Sequence, residues 1–208
     1  MLAAGIVFAA ATANAQTPAA ADRGYVMGVA DSSFGSVTSQ SFGAEIGVTV
    51  RPELQVFGSF GHVGDAATPE ISAEAATIAG ALTQVQSGSV SYSVKQPVTF
   101  FLGGLRYRIP VTSVLRPYLG GGVGVGMVKK DVNFLINGTD ASSTLSQYVT
   151  LGSGVSGDET ALMFSVGGGV VWPVWQQLIL DLHYSYGRVS SETPITINRA
   201  GIGVGFRF

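Results

Sequence analysis

The sequence has no cysteine, little charge and no long apolar run, and each shortage removes a class of protein. Without cysteine there is no disulfide framework and no thiolate metal site. Two histidines in 208 residues give no metal-binding constellation, so neither a metal nor another cofactor is expected. Only 12% of residues are charged and the formal net charge is −2, which provides no basic footprint for nucleic acid. Mean hydropathy is nevertheless positive, at +0.37. No stretch of 18 or more apolar residues accompanies it, so a helical membrane span is excluded. No internal repeat of solenoid or propeller length is present either.

What the chain does have is glycine, 29 residues of it, and alternation. Eight segments alternate apolar with small or polar residues at the period of a β-strand: 25–30, 41–51, 54–63, 98–109, 118–128, 160–172, 177–188 and 196–208. In the second, Phe42, Ala44, Ile46, Val48 and Val50 oppose Gly43, Glu45, Gly47 and Thr49. In the fifth, Leu119, Val123, Val125 and Met127 oppose Gly120, Gly122, Gly124 and Gly126. The seventh sets Leu178, Leu180, Leu182, Tyr184 and Tyr186 against Asp181, His183 and Ser185. In the first, Tyr25, Met27 and Val29 share a face. Short proline-marked connections near Pro52, between Pro110 and Pro117 and at Pro173 alternate with longer ones over 31–40, 64–97, 129–159 and 189–195. The second long connection contains an Ala-rich segment, Ile71 to Val85, with helical character.

These features predict an all-β fold: an eight-stranded antiparallel up-and-down transmembrane β-barrel with short periplasmic turns and longer external loops. The apolar face is assigned to lipid, because eight strands cannot house so many large side chains inside. The closed ladder then satisfies the backbone polar groups within the bilayer. A glycine-rich, charged lumen follows. It is expected to hold Glu45, Arg106, Arg108, Asp181, His183, Arg199 and Arg207, with Glu45 and Asp181 each paired to one of Arg106, Arg108 or Arg199, because an unpaired buried charge is costly. Tyr107, Trp172, Trp175, Tyr184 and Tyr186 are expected to form an interface girdle.

The amino-terminal residues suggest processing. Met1 to Phe8 is apolar, and Ala13-Asn14-Ala15 fits a signal-peptidase site. The expected organisation is a signal peptide over 1–15, possessing no basic start of its own, a lead-in over 16–23 and a barrel over 24–208.

The terminal stretch Ala200-Gly201-Ile202-Gly203-Val204-Gly205-Phe206-Arg207-Phe208 resembles the closing signature of outer-membrane proteins. The runs Arg116 to Gly126 and Leu180 to Arg188 resemble the opacity-protein-like family of small outer-membrane barrels. The resemblance implies a Gram-negative outer-membrane location and contact with membrane lipid and lipopolysaccharide. It also implies an assembly signal at Ile202, Val204, Phe206 and Phe208 read by the barrel-assembly machinery.

The expected role is structural or surface-interacting, through outer loops whose partner the sequence does not name, in a monomer with no enzyme activity. A small passive or gated channel is the alternative. A third reading is a lipid A deacylase-like esterase on the pair His183 and Ser185, with Glu192 or Asp181 orienting the imidazole. Strand alternation places that pair in the lumen, away from lipid.

Overall fold

A computed structural model of the chain describes residues 23–85, 89–140 and 157–208. The expected signal peptide and all of the lead-in except Arg23 lie outside the described residues. The elements are β1 (Gly24–Phe34), β2 (Ser39–Arg51), β3 (Leu54–Val63), α1 (Pro69–Val85), β4 (Val90–Lys95), β5 (Val98–Arg108), β6 (Arg116–Ile136), β7 (Thr139–Asp140), β8 (Gly157–Pro173), β9 (Leu178–Val189) and β10 (Ile195–Arg207). Eight of the ten strands, all but β4 and β7, pair antiparallel in turn around a closed wall. Closure is made by β1 against β10, from Tyr25 opposite Arg207 to Phe34 opposite Asn198.

The period-two pattern determines the two faces of that wall. Phe42, Ile46, Leu105, Leu119, Val123, Leu182, Ile202 and Val204 all stand exposed on the outside. This is the apolar band that a bilayer requires. Most wall strands run 10–13 residues, which suffices for a tilted strand to cross the hydrocarbon layer. Both described chain ends and the short turns lie at one end, which is periplasmic in this architecture. There Pro52 and Glu53 make a two-residue turn between Arg51 and Leu54. The last strand is tied to the first by backbone bonds from the Arg23 and Gly24 amides to the Phe208 carbonyl, at 2.6 and 3.0 Å.

The opposite end carries more structure than expected. α1 covers the anticipated Ile71 to Val85 helix and begins at Pro69, where a proline needs no amide hydrogen bond. β6 does not stop at Val128. It continues through Lys129, Lys130 and Asp131 to Ile136, about 25 Å further at roughly 3.3 Å per residue. β4 pairs with this extension, Val90 opposite Ile136 and Lys95 opposite Asp131. α1 packs Ala75, Ala79 and Leu82 onto Phe134, forming a small apolar core separate from the barrel. The charged Lys129-Lys130-Asp131 triplet looks like a loop, but it lies on a strand because the apolar positions beyond it, Val132 and Phe134, have a helix to pack against.

β1 also runs past Ala30 to Phe34, so Asp31 is a strand residue and not the start of a loop. Its inner face is the one carrying Tyr25 and Met27, both almost fully buried. Those side chains therefore enter the lumen and do not face lipid.

Candidate functional site

The lumen is built from side chains that share a strand face. On the periplasmic side, Glu45 of β2 accepts hydrogen bonds at one oxygen from the Tyr25 hydroxyl of β1, at 2.6 Å, and from the Arg106 guanidinium of β5. Arg106 lies over the Tyr118 ring, 3.9 Å from its centroid, with Tyr25 at 4.9 Å on another side. This is a desolvated cation–π arrangement as well as an ion pair. The Tyr118 hydroxyl donates to Asp181 Oδ2 at 2.9 Å. His183 Nδ1 stands 2.9 Å from the same oxygen, off the hydrogen-bonding direction, and its Nε2 is 2.9 Å from Asp31 Oδ1. Arg199 Nη1 lies 3.7 Å from Asp31 Oδ2, and the guanidinium covers the Phe100 ring at 4.5 Å.

Glu45, Asp31 and Asp181 thus face Arg106, Arg199 and His183 in one continuous cluster that crosses the bore from β2 to β10. Pairing of this kind is what makes burial of so many ionisable groups tolerable. The lumen glycines provide the space. A Cβ on Gly47 would fall 2.2 Å from the Tyr25 ring, and one on Gly61 would fall 2.3 Å from the Phe100 ring. Large side chains therefore lie flat over bare backbone on the neighbouring strand.

The expected partners are corrected in two respects. Asp181 meets Tyr118 and His183, not an arginine; the guanidinium that crosses to its side of the bore, Arg199, goes to Asp31. Arg108 and Arg207 stand outside this cluster at the periplasmic mouth. Their guanidinium groups donate to turn carbonyls, Arg108 to Pro52 at 2.6 Å and Arg207 to Gln176 at 3.0 Å. Asp31, Tyr25 and Tyr118 join the cluster without having been singled out in the sequence. Counting by twos from Tyr25 along an unbroken β1 reaches Asp31.

A second correction concerns the outer half of the lumen, which is neither glycine-rich nor charged. Val63, Val98, Phe100, Val128, Met163, Val189 and Ile195 are at most 1% exposed, and Leu102 and Ile197 join them in one apolar cluster. The register aligns them as a collar: Val63 opposite Val98, Val98 opposite Val128, and Val189 opposite both Met163 and Ile195. Parity could have found them, because Leu102, Phe100 and Val98 follow at twos from Arg106, and Ile197 and Ile195 from Arg199.

Between the collar and the Arg106 pair lies a cavity of about 80 Å³ bordered by Phe100, Arg106, Tyr118, Asp181 and His183. Below it is another of about 30 Å³ bordered by Gln55, Arg106, Arg108, Arg116, Tyr118 and Arg207. Arg106 and Tyr118 line both and form the partition between them.

The remaining candidates are on the wall. Tyr107, Trp172 and Trp175 are exposed at the periplasmic end. Tyr184 and Tyr186 lie farther out, Tyr184 donating to Asn198 at 2.8 Å and Tyr186 packing on Phe164. Ile202, Val204, Phe206 and Phe208 all point outward. His183 and Ser185 face inward and border the cavity of about 80 Å³. Glu192 is at the outer end, where its amide bonds Glu159. Among the described residues no group of three potential metal ligands occurs.

A closed eight-stranded wall that is apolar outside and polar or packed within defines a transmembrane β-barrel of the outer-membrane type. The chain belongs to the family described as outer membrane protein beta-barrel domain, which matches residues 1–208, and its place is the outer membrane. Among solved structures it is similar to Neisserial surface protein A (14% identity, TM-score 0.55, covering 89% of this chain and 96% of that one). It is also similar to Ail, the attachment invasion locus protein of Yersinia pestis (13%, 0.52, 90% and 99%). A third is the N-terminal barrel domain of Pseudomonas aeruginosa OprF (14%, 0.51, 90% and 98%). At such identities the likeness is one of fold. No curated protein matches the chain.

Proposed function

We propose that the protein is a non-conducting, non-enzymatic outer-membrane barrel that acts by presenting folded structure at the cell surface. The observation that carries this reading is the outer module. Joining β3 to β5 needs only a few residues, yet the chain invests a 17-residue helix, an extra strand and a long extension of β6 in a module with its own apolar core. Two blocks in series support the absence of conduction: the Arg106–Tyr118 partition and the apolar collar. A deacylase is disfavoured because His183 is held between two carboxylates inside the barrel, where an acyl chain in the membrane does not reach Ser185. The outward set Ile202, Val204, Phe206 and Phe208 serves as the assembly signal, and the aromatic residues of the wall anchor it at the interfaces.

Planar bilayers test the pore alternative directly. Purified protein is expected to give no stepwise conductance; regular steps would establish the channel reading instead. Replacing residues 66–96 by a short turn is expected to leave heat-modifiable gel migration intact while abolishing differences in attachment between expressing and non-expressing cells on matrix-coated plates. Attachment unchanged by the replacement would remove the surface role from this module.

A further inference from the structure

The periplasmic mouth gathers arginine from five of the eight wall strands. Arg23 precedes β1, Arg51 ends β2, Arg108 ends β5, Arg116 opens β6 and Arg207 ends β10. β10 lies across the ring of strands from β5 and β6, so Arg207 borders the 30 Å³ cavity from one side and Arg108 and Arg116 from the other. Arg106 lies deepest in it and is already matched by Glu45. No carboxylate borders this cavity among the described residues. Arg108 and Arg207 are braced on the Pro52 and Gln176 carbonyls, which hold the groups in place but carry no charge. Against the five arginines of this end stand Glu53 and, in the sequence before β1, Asp22; a carboxyl group on Phe208 would make three acids. Positive charge is therefore in excess however those acids are shared. Tyr107, Trp172 and Trp175 are exposed on the wall at the same end, which sets the arginine ring at the depth of the inner-leaflet headgroups.

We infer that the periplasmic mouth binds a phosphate group, its oxygens taken by Arg108, Arg116 and Arg207, with Arg23 and Arg51 drawing the anion in. A guanidinium carries five N–H donors in a planar fork, so one bracing bond does not exhaust it. Phosphate suits the site better than carboxylate because the arginines approach from opposite sides of the bore. A phosphate group presents oxygens in three directions, whereas a carboxylate presents two in one plane. A cavity of about 30 Å³ admits roughly one water-sized group. One phosphate oxygen enters it, and the rest of the group stays at the mouth. The Arg106–Tyr118 partition above makes this a binding site and not a step in permeation. Both a phospholipid headgroup and a soluble phosphate carry this chemistry. The inference concerns the opposite end of the molecule from the surface module and does not depend on it.

The test is equilibrium dialysis of radiolabelled inorganic phosphate against the refolded full-length barrel in uncharged detergent. Saturable binding of one phosphate per barrel is expected, with Kd at or below about 1 mM at low salt and weakening as salt rises. Arg108→Gln/Arg116→Gln/Arg207→Gln should bind at least tenfold more weakly. Arg23→Gln/Arg51→Gln, which leaves the braced groups in place, should bind about threefold more weakly, as expected from the loss of screened attraction alone. Lys95→Gln/Lys129→Gln/Arg188→Gln removes as many charges from the outer end and should bind as wild type does. Variants are compared where heat-modifiable migration shows an intact barrel. Absence of saturation would overturn the proposal, as would wild-type affinity in both mouth variants or an equal loss in the outer-end variant. Repeating the dialysis in phosphatidylcholine vesicles with and without phosphatidylglycerol identifies the source. Affinity that falls as phosphatidylglycerol is added assigns the site to lipid headgroups, and affinity that holds assigns it to soluble phosphate.

Discussion

The two halves of the lumen fill one bore by opposite means. On the periplasmic side Arg106, Glu45, Tyr25 and Tyr118 interlock through charge, hydrogen bonds and ring stacking. On the outer side Val63, Val98, Phe100, Val128, Met163, Val189 and Ile195 close into an apolar cluster, with the buried Ser41 opposite Val63. An apolar collar is forgiving in energy: losing one member leaves a gap that costs packing but strands no charge. A buried ion cluster is not, because removing one member leaves its partner charged and unpaired. The comparison predicts that the same size of truncation costs more below the cavity than above it.

The largest effect is expected from Arg106→Ala. It strands Glu45 inside the barrel and should lower unfolding stability in micelles by about 3–5 kcal/mol, measured by urea titration. Phe100→Ala in the collar should cost about 3 kcal/mol, the lower end of the range for buried aromatic truncation, because Arg199 and Leu102 border the space it leaves. His183→Asn removes the group standing between Asp31 and Asp181 and should cost about 2 kcal/mol. The smallest effect is expected where the charged cluster is made to imitate the collar. Glu45→Leu/Arg106→Met replaces the pair by apolar volume and should stay within about 2 kcal/mol of wild type, well above Arg106→Ala alone. If the double replacement is worse than the single one, the ion pair contributes net stability, and the asymmetry between the halves is misjudged.

The same comparison shows what the sequence could and could not reveal. Strand alternation places a residue on a face, and it did so for Glu45, Arg106, Asp181, His183 and Arg199 on the inside and for Leu119, Val123 and Ile202 on the outside. It does not say which inward residues meet across the bore, because that depends on the stagger between strands. Asp181 therefore goes to Tyr118 and His183, and Arg199 to Asp31, although an arginine for every carboxylate was the simpler expectation. The collar is illegible in the sequence for a different reason. In Thr99-Phe100-Phe101-Leu102 both faces are apolar, so alternation fades where the lumen itself turns apolar, and a charge-based view of the interior ends there. Asp31 was hidden by its own chemistry, since aspartate is poorly represented in strands and reads as a loop residue. It is tolerated in β1 because Arg199 and His183 meet it. The outer module followed from the helix signal only in part. β4 and the β6 extension depend on packing against α1, a tertiary contact that no local pattern encodes.

The central claim is that two independent blocks in series close the lumen, with a cavity between them. Planar-bilayer recordings of wild type, Arg106→Ala, Phe100→Ala and the double variant Arg106→Ala/Phe100→Ala test it most directly. The account predicts no stepwise conductance for wild type or for either single variant, because one block remains in each, and discrete openings for the double variant. Conductance from wild type or from one single variant, or a silent double variant that is still folded, would contradict it.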